Sequence, residues 1–465
     1  MTTSLRQLSE MVRKRKITAT SLIEEACDNA VAHSELDAFI CLDRQGALQK
    51  AQRIDNELKE GSNNRPLAGI PIVVKDNMNV RGMQTTAGTP GMNFQAKASA
   101  PIIENLEKAG AIVIGKTNLH ELAFGVTSNN TAYGAVRNPW DKCCFPGGSS
   151  GGTAAAIAAG IVSAGLGTDT AGSIRLPAAL TGIVGFRPST GCLSTEGIVP
   201  SVPAFDTPGP MAANVEDTAY LFEILTGSAP PQAKPLNQLR LGLAHPLFDN
   251  LSPGVYQAFK AALHSLSSAG ATLVEIDLSS LVSAVLDVGF PIGFHQMKTA
   301  MTQFLASYQP NTQLAELVAM IKSKDVKAVY QESVMGPKAP SNADYQTALK
   351  RMPGVRDSYL KFIRQHQLDV IVFPTAPIEA QPISTSSNQL ELNGKMLPTL
   401  DTLIHNNATA AVTGAPGISI PIGRGNNGLP VGLELDGVPG ADLTLLAIAK
   451  EIELQIPPLV SNGLK

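Results

Sequence analysis

The chain has 465 residues, 44% of them hydrophobic and 16% charged, with a formal net charge of −3. That is ample apolar material for a large core. With no basic block and no acidic tail, there is no electrostatic footprint for nucleic acid or for an anionic membrane surface. A prior of about 150 residues per domain would allow three domains, although large α/β enzymes often run longer as one unit. The five cysteines (Cys27, Cys41, Cys143, Cys144, Cys192) are odd in number and form no CxxC pair. They therefore argue against a disulfide framework and for reduced thiols in a cytoplasmic protein. The opening MTTSLRQLSEMVRKRKITATSLIEEACDNA has no apolar h-region and no cleavage site, so no signal peptide is expected. The stretch 153–167 is rich in Ala and Gly and falls short of the roughly 20 strongly apolar residues of a membrane span. A buried helix is expected there.

In chain order, periodicity predicts helices over 4–14 and 18–32. Thr18 or Thr20 would cap the second, with Leu22, Ile23 and Ala26 on one face. Helical pattern continues through 45–60. Gly69-Ile-Pro-Ile-Val-Val74 reads as a short buried strand ending at Lys75, residues 100–109 as a helix, and Ala111-Ile-Val-Ile-Gly115 as another strand. This alternation implies an α/β sheet. Residues 139–191 are dense in Gly, Ser, Thr and Ala, but apolar runs and the specific charges Asp169 and Arg175 point to close backbone packing rather than disorder. A Pro-rich stretch, 228–235, links two halves. Beyond it the pattern predicts a strand (239–243), a helix (254–269), a strand (272–276), a mostly helical stretch (281–367), strands (369–373, 417–422, 431–435) and a last helix (441–452). No internal repeat is visible. Because strands resume late, one domain is expected over 1–465. Its parts are N-terminal helices to about 60, a core to about 227, a linker to about 236, and a helical, sheet-completing remainder.

Pro146-Gly-Gly-Ser-Ser-Gly-Gly-Thr153 allows several chemistries. A Gly-rich turn before a helix can cradle anions, but a phosphate loop needs GxxxxGK[ST] and a dinucleotide loop needs GxGxxG after a strand. Neither condition is met. The segment matches GxSxG twice, centred on Ser149 and on Ser150. The nucleophile elbow, however, needs a preceding strand and a later acid and His. Cys143-Cys-Phe-Pro146 is a poor strand, and none of His245, His264, His295, His366 and His405 sits in an evident triad motif. A third route uses a lysine base, which burial can depress from its ordinary pKa of about 10.4. Lys75, at the end of an apolar strand, is the candidate. A lysine snorkelling to solvent is the alternative reading of that position.

Three segments read together go further: Pro71-Ile-Val-Val-Lys-Asp-Asn77, Gly147-Gly-Ser-Ser-Gly-Gly152 and Gly167-Thr-Asp-Thr-Ala-Gly-Ser-Ile-Arg175. With Leu67-Ala-Gly-Ile-Pro71, Gly115-Lys-Thr-Asn118, Arg137-Asn-Pro139 and Phe373-Pro-Thr-Ala-Pro377, the chain resembles the amidase signature family from about residue 38 to 433. The resemblance implies an α/β fold with a large, mixed, twisted β-sheet sandwiched by helices, and neither metal nor organic cofactor. It implies Ser173 as nucleophile, Ser149 in a cis peptide as proton relay, and neutral Lys75 as base. The two serines lie 24 residues apart, as in the family. It also implies an oxyanion turn made by the N–H groups of Thr170, Ala171, Gly172 and Ser173, and an acyl-enzyme released by water. The family most often has Gly-Gly-Ser where this chain has Ala171-Gly172-Ser173. The change adds a methyl and removes no N–H, and allophanate hydrolases share it.

Ser150 is expected to hydrogen-bond substrate or relay, or else to cap a helix starting near Thr153. Asp169 and Arg175 are expected to pair behind the turn. Lys116 is expected to be structural, Asp76 to hold local hydrogen bonds, and His120 to be a satisfied loop histidine. His120-Glu-Leu-Ala-Phe-Gly-Val-Thr-Ser-Asn129 and Thr86-Ala-Gly-Thr-Pro-Gly-Met92 resemble bacterial indoleacetamide and mandelamide hydrolases of that family. That likeness implies that Phe124, Gly125 and Thr127 line the acyl pocket of a small aryl or arylacetamide substrate. The alternatives are the A subunit of a tRNA-dependent amidotransferase, an allophanate-type hydrolase, or a catalytically dead binding relative. The expected partner is a small-molecule amide, with no nucleic acid and no membrane, and the family allows a homodimer. Residues 281–340 give no reading of the pocket.

Overall fold

Short apolar runs of the sequence become strands whose alternate side chains enter different cores. The computed structural model describes residues 3–62, 64–385 and 388–459. Among them eleven strands form one mixed sheet. In chain order these are β1 (Phe39–Leu42), β2 (Pro71–Lys75), β3 (Ile112–Thr117), β4 (Ala164–Asp169), β5 (Val184–Arg187), β6 (Thr207–Ala212), β7 (Arg240–His245), β8 (Thr272–Asp277), β9 (Val370–Pro374), β10 (Gly417–Arg424) and β11 (Pro430–Asp436). Their spatial order is β1-β3-β2-β4-β6-β5-β10-β11-β9-β7-β8. β2 runs parallel to β3 and β4, and β7 parallel to β8 and β9; the remaining neighbours are antiparallel. Ile72 and Val74 of β2 enter one core while Val73 enters another. In β9, Val370 and Val372 are likewise separated from Ile371 and Phe373. Period two with both faces buried is what places helices on either side of such a sheet.

The flanking helices follow local signals. Thr18 caps Ala19–Ala32 through the Ser21 N–H, as the sequence predicts. Pro253 and Pro101 open their helices at the first position, where a missing N–H costs nothing. Residues 281–367 fold as Ser279–Tyr308, Leu314–Met320, Lys324–Val329 and Asn342–His366.

The continuous helix expected over 153–167 is not formed. The helix runs from Gly151 to Ala158, Gly160 takes a left-handed φ of 73°, and Ala164–Asp169 becomes β4 in the middle of the sheet. Close packing explains this composition: a Cβ on Gly165 would stand 2.7 Å from the Val73 carbonyl, and one on Gly152 2.3 Å from the Asn118 carbonyl. Strands β2 and β4 pair through Val73–Gly165 and Val74–Leu166. Lys75 therefore leaves the sheet beside Gly167 and Thr168, at the carboxyl ends of two parallel strands, where open α/β sheets hold ligands.

Candidate active site

Lys75 is fully buried. Its Nζ lies 2.7 Å from Ser149 Oγ, 2.9 Å from Thr168 Oγ1 and 3.4 Å from the Thr168 carbonyl. Burial draws its pKa from the usual 10.5 down to about 7, against the opposing pull of the Asp169 and Asp206 carboxylates. Thr168 Oγ1 also accepts from Asn77 Nδ2 at 3.0 Å, so both its lone pairs are taken by N–H donors. The Ser149 hydroxyl is left as the group that can donate to a neutral Lys75.

Ser149 follows a cis peptide bond, Gly148–Ser149. Its carbonyl accepts from the His120 N–H (3.1 Å) and the Ser128 hydroxyl (3.3 Å), which pins the turn. The Ser150 N–H donates to the Ser173 carbonyl at 3.1 Å, so the turn and the Ser173 backbone are adjacent. The Ser150 hydroxyl does not cap the helix that follows; it donates to the Thr168 carbonyl at 3.2 Å.

Residues 170–174 connect β4 to the helix Arg175–Thr181 and turn on Gly172, whose φ is 117°. Asp169 organises the turn from below. It accepts from the Gly172 N–H (2.9 Å), the Ile174 N–H (3.1 Å) and both Nε and Nη2 of Arg175 (3.1 Å each). Burial alone would raise the Asp169 carboxyl, but Arg175 and Arg187 hold it well below the usual range. The Gly172 N–H, one of the four expected oxyanion donors, is therefore committed to Asp169. The N–H groups of Thr170, Ala171 and Ser173 meet no backbone acceptor among the described residues. The expected Asp169–Arg175 pair is present and larger than foreseen. Arg175 also reaches Glu434 (3.0 Å) and the Asn407 carbonyl (3.0 Å), and Arg187 reaches the Asp169 carbonyl (2.8 Å). Thr170 is held separately, its hydroxyl donating to Asp206 Oδ1 at 2.6 Å while Asp206 Oδ2 accepts from the Ser201 N–H at 2.9 Å.

Ser173, Thr170 and Ala171 form one wall of a cavity of about 130 Å³ that is otherwise almost wholly apolar. Of the three residues expected at an acyl pocket, Phe124 and Gly125 line this cavity and Thr127 does not. Thr127 faces a neighbouring cavity of about 220 Å³, and its N–H lies 3.4 Å from His120 Nδ1. His120 is a satisfied residue, its Nε2 2.9 Å from Asp325 Oδ2 and its Nδ1 also accepting from the Ser128 N–H. The loop carrying Phe124 holds left-handed φ at Leu122, Ala123 and Ser128 (56°, 55° and 56°). Non-glycine residues rarely keep such angles unless their surroundings enforce them. Here the buried Glu121 carboxylate accepts from the Lys322 and Ser323 N–H groups and ties the loop to the helical region.

The rival base is occupied: Lys116 Nζ donates to Asp76 Oδ1 at 2.7 Å and to the Gln84 carbonyl at 3.1 Å, and Asp76 also accepts from the Thr86 N–H. His245 and His120 both find carboxylates, Asp249 and Asp325, yet among the described residues neither ring nitrogen contacts a serine hydroxyl. All five cysteines are free thiols.

Sequence reasoning missed most of the cavity wall. Val285, Leu286, Gly289, Phe290, Gly293 and Met297 all face it from the helix Ser279–Tyr308. Their spacing of three and four is visible in the sequence, but the same spacing describes ordinary core packing. Asp206 and Arg187 were missed too, and no motif singles them out.

A model of the Amidase family matches residues 21–446. The mandelamide hydrolase of Pseudomonas putida is 39% identical over 469 residues, covering 97% of this chain and 90% of that protein. The indoleacetamide hydrolase of Agrobacterium vitis is 37% identical, covering 98% and 97%. Among solved structures, the crystal structure of an amidase superposes with a TM-score of 0.87 at 30% identity, covering 98% of this chain and 100% of that one. The chain belongs to the amidase family and is a hydrolase of carbon–nitrogen bonds.

Proposed function

We propose that this amidase hydrolyses a small aryl or arylacetamide carboxamide to carboxylate and ammonia through an acyl-enzyme on Ser173. The observation that carries the reading is the 2.7 Å contact between a buried, weakly basic Lys75 and Ser149, beside a turn that puts Ser173 in the wall of an apolar cavity. Ser173 Oγ attacks the amide carbon. Its proton passes to Ser149, whose own proton passes to neutral Lys75. The oxyanion is taken by the N–H groups of Thr170, Ala171 and Ser173, and one such donor is typically worth about 10²–10³ in rate. The proton returns through Ser149 to the departing nitrogen, ammonia leaves, and water activated by the same pair hydrolyses the ester. Ser150 braces the Ser149 turn, its N–H donating to the Ser173 carbonyl and its hydroxyl to the Thr168 carbonyl. No step of this sequence requires a metal or an organic cofactor. The aromatic rings of Phe124, Phe205, Phe290 and Phe294 around the cavity favour a flat acyl group. The names of the mandelamide and indoleacetamide hydrolases support the same class. Free thiols fit a reducing, cytoplasmic setting.

The test is ammonia release by the purified chain on indole-3-acetamide, mandelamide, benzamide, short aliphatic amides, allophanate and glutamine. The expected result is turnover of an aryl amide that disappears in Ser173→Ala. Activity confined to glutamine would instead mark an amidotransferase subunit, and activity confined to allophanate would mark that hydrolase.

A further inference from the structure

We infer that Gly289 and Gly293 set the acyl specificity of the cavity, leaving bare helix backbone for the flat face of an aromatic acyl group to lie against. The inference rests on the cavity beside Ser173 being the acyl site. Both glycines sit inside the helix Ser279–Tyr308, one turn apart, with their Cα atoms toward the cavity. Neither has the positive φ that would require glycine. Glycine is the weakest helix former after proline, so the backbone gives no reason for two of them here.

Packing gives no reason at Gly293 and a modest one at Gly289. A Cβ built on Gly293 meets only Val202 Cγ2, at an ordinary 3.8 Å, whereas one on Gly289 meets Val412 Cγ2 at a tight 3.2 Å. Elsewhere in the chain a bare glycine commonly marks a tight contact: a Cβ on Gly152, Gly165 or Gly209 would come within 2.7 Å of another atom. At 293 the room belongs to the cavity, while at 289 a methyl would face the cavity only if Val412 shifted by a few tenths of an ångström. The residues that follow them, Phe290 and Phe294, also line the cavity, with ring centroids 5.9 Å apart and planes 23° from parallel, along one side of the bare strip. The resulting slot is flat, apolar and edged by rings, which suits a phenyl or indole ring more than a branched or short aliphatic group. In a cavity of about 130 Å³, one methyl on that floor takes a sizeable part of the space a ring would fill.

The experiment measures kcat/KM for phenylacetamide and propionamide in the wild type, Gly293→Ala, Gly293→Val and the control Gly354→Ala, with the melting temperature of each. Gly354 is an exposed glycine within the helix Asn342–His366, and a Cβ there meets nothing within 4 Å. One methyl group in a hydrophobic pocket typically changes discrimination about 10- to 200-fold. The expected result is a phenylacetamide-to-propionamide ratio that falls by about tenfold or more in Gly293→Ala and further in Gly293→Val. The ratio in Gly354→Ala should match the wild type, and neither alanine variant should melt lower. A ratio unchanged in both Gly293 variants, with wild-type turnover intact, overturns the inference and leaves the hydrolase reading standing. A wild type inactive on every amide overturns both.

Discussion

Lys75 offers the sharpest quantitative prediction. An ordinary lysine with a pKa of 10.5 would be neutral in only about 1 molecule in 3,000 at pH 7, whereas a pKa of about 7 leaves about half of the molecules neutral. The difference between 10.5 and about 7 corresponds to roughly 5 kcal/mol between the two protonation states. Because the base must begin neutral, kcat/KM should rise as pH increases through about 7 and level off above it; this profile reports the free enzyme. Lys75→Met should cost at least about 10³-fold in kcat at pH 7.5. It should change folding stability by no more than about 2 kcal/mol, since relief from burying an amine offsets the lost contacts to Ser149 and Thr168. Stopped ammonia assays from pH 5 to 10, paired with calorimetry of the variant, measure both. An acid limb centred near 10, or near-native turnover by Lys75→Met at neutral pH, would refute the assignment of the base.

Asp206→Asn removes an anion that raises Lys75 basicity and breaks the Ser201 half of the clasp on Thr170. Its acid limb should move to lower pH, with kcat down by roughly tenfold from the loosened turn; a limb that stays or moves upward contradicts this. In the buried cluster behind the turn, Glu434 and Asp436 face Arg175 from one side of β11, and burial raises both carboxyls, Asp436 well above its usual range. The Glu434 carboxyl beside Asp436 adds to the effect of burial and favours a carboxyl that keeps its own proton. Asp436→Asn should therefore shift stability at pH 7 by less than about 1 kcal/mol, while Asp169→Asn, which strips two buried guanidinium groups of their shared anion, should cost about 3–5 kcal/mol. The sign with pH follows from the raised folded pKa. The contribution of Asp436 is complete below about pH 4 and is lost as pH climbs toward the folded value, so Asp436→Asn should flatten that decline in denaturant titrations. An Asp436→Asn variant destabilised as much as Asp169→Asn would show that Asp436 is ionised.

Lys75, Ser149 and Ser173 could be singled out as candidates from the sequence because each stands in a motif whose composition is hard to explain otherwise. The strands bearing them were less so. Pro71–Lys75 reads as a strand from its β-branched run, but Ala164–Asp169 carries two glycines and an alanine, and Thr207–Ala212 carries two prolines. Pro in an inner strand normally argues against the assignment. It is accommodated here because β5 pairs with β6 only at Met211 and Ala212, leaving Pro208 and Pro210 without a second neighbour. Ala164–Asp169 is a strand because it fills a narrow gap between β2 and β6, a tertiary fact that outweighs propensity. The Gly172 N–H illustrates the limit at the site itself. Sequence identifies the turn, but only the fold shows that Asp169 claims one of its donors. The cavity wall was hidden for a different reason, since Val285, Phe290 and Met297 follow the spacing of any buried helix.

The central claim, an acyl-enzyme on Ser173, is tested most directly by acid-quenching the enzyme during turnover of a slow aryl amide and mapping the adduct by peptide mass spectrometry. The account predicts an acyl mass on the peptide containing Ser173 and its absence in Ser173→Ala. An adduct on Ser149 or Ser150, or undiminished turnover by Ser173→Ala, would contradict it.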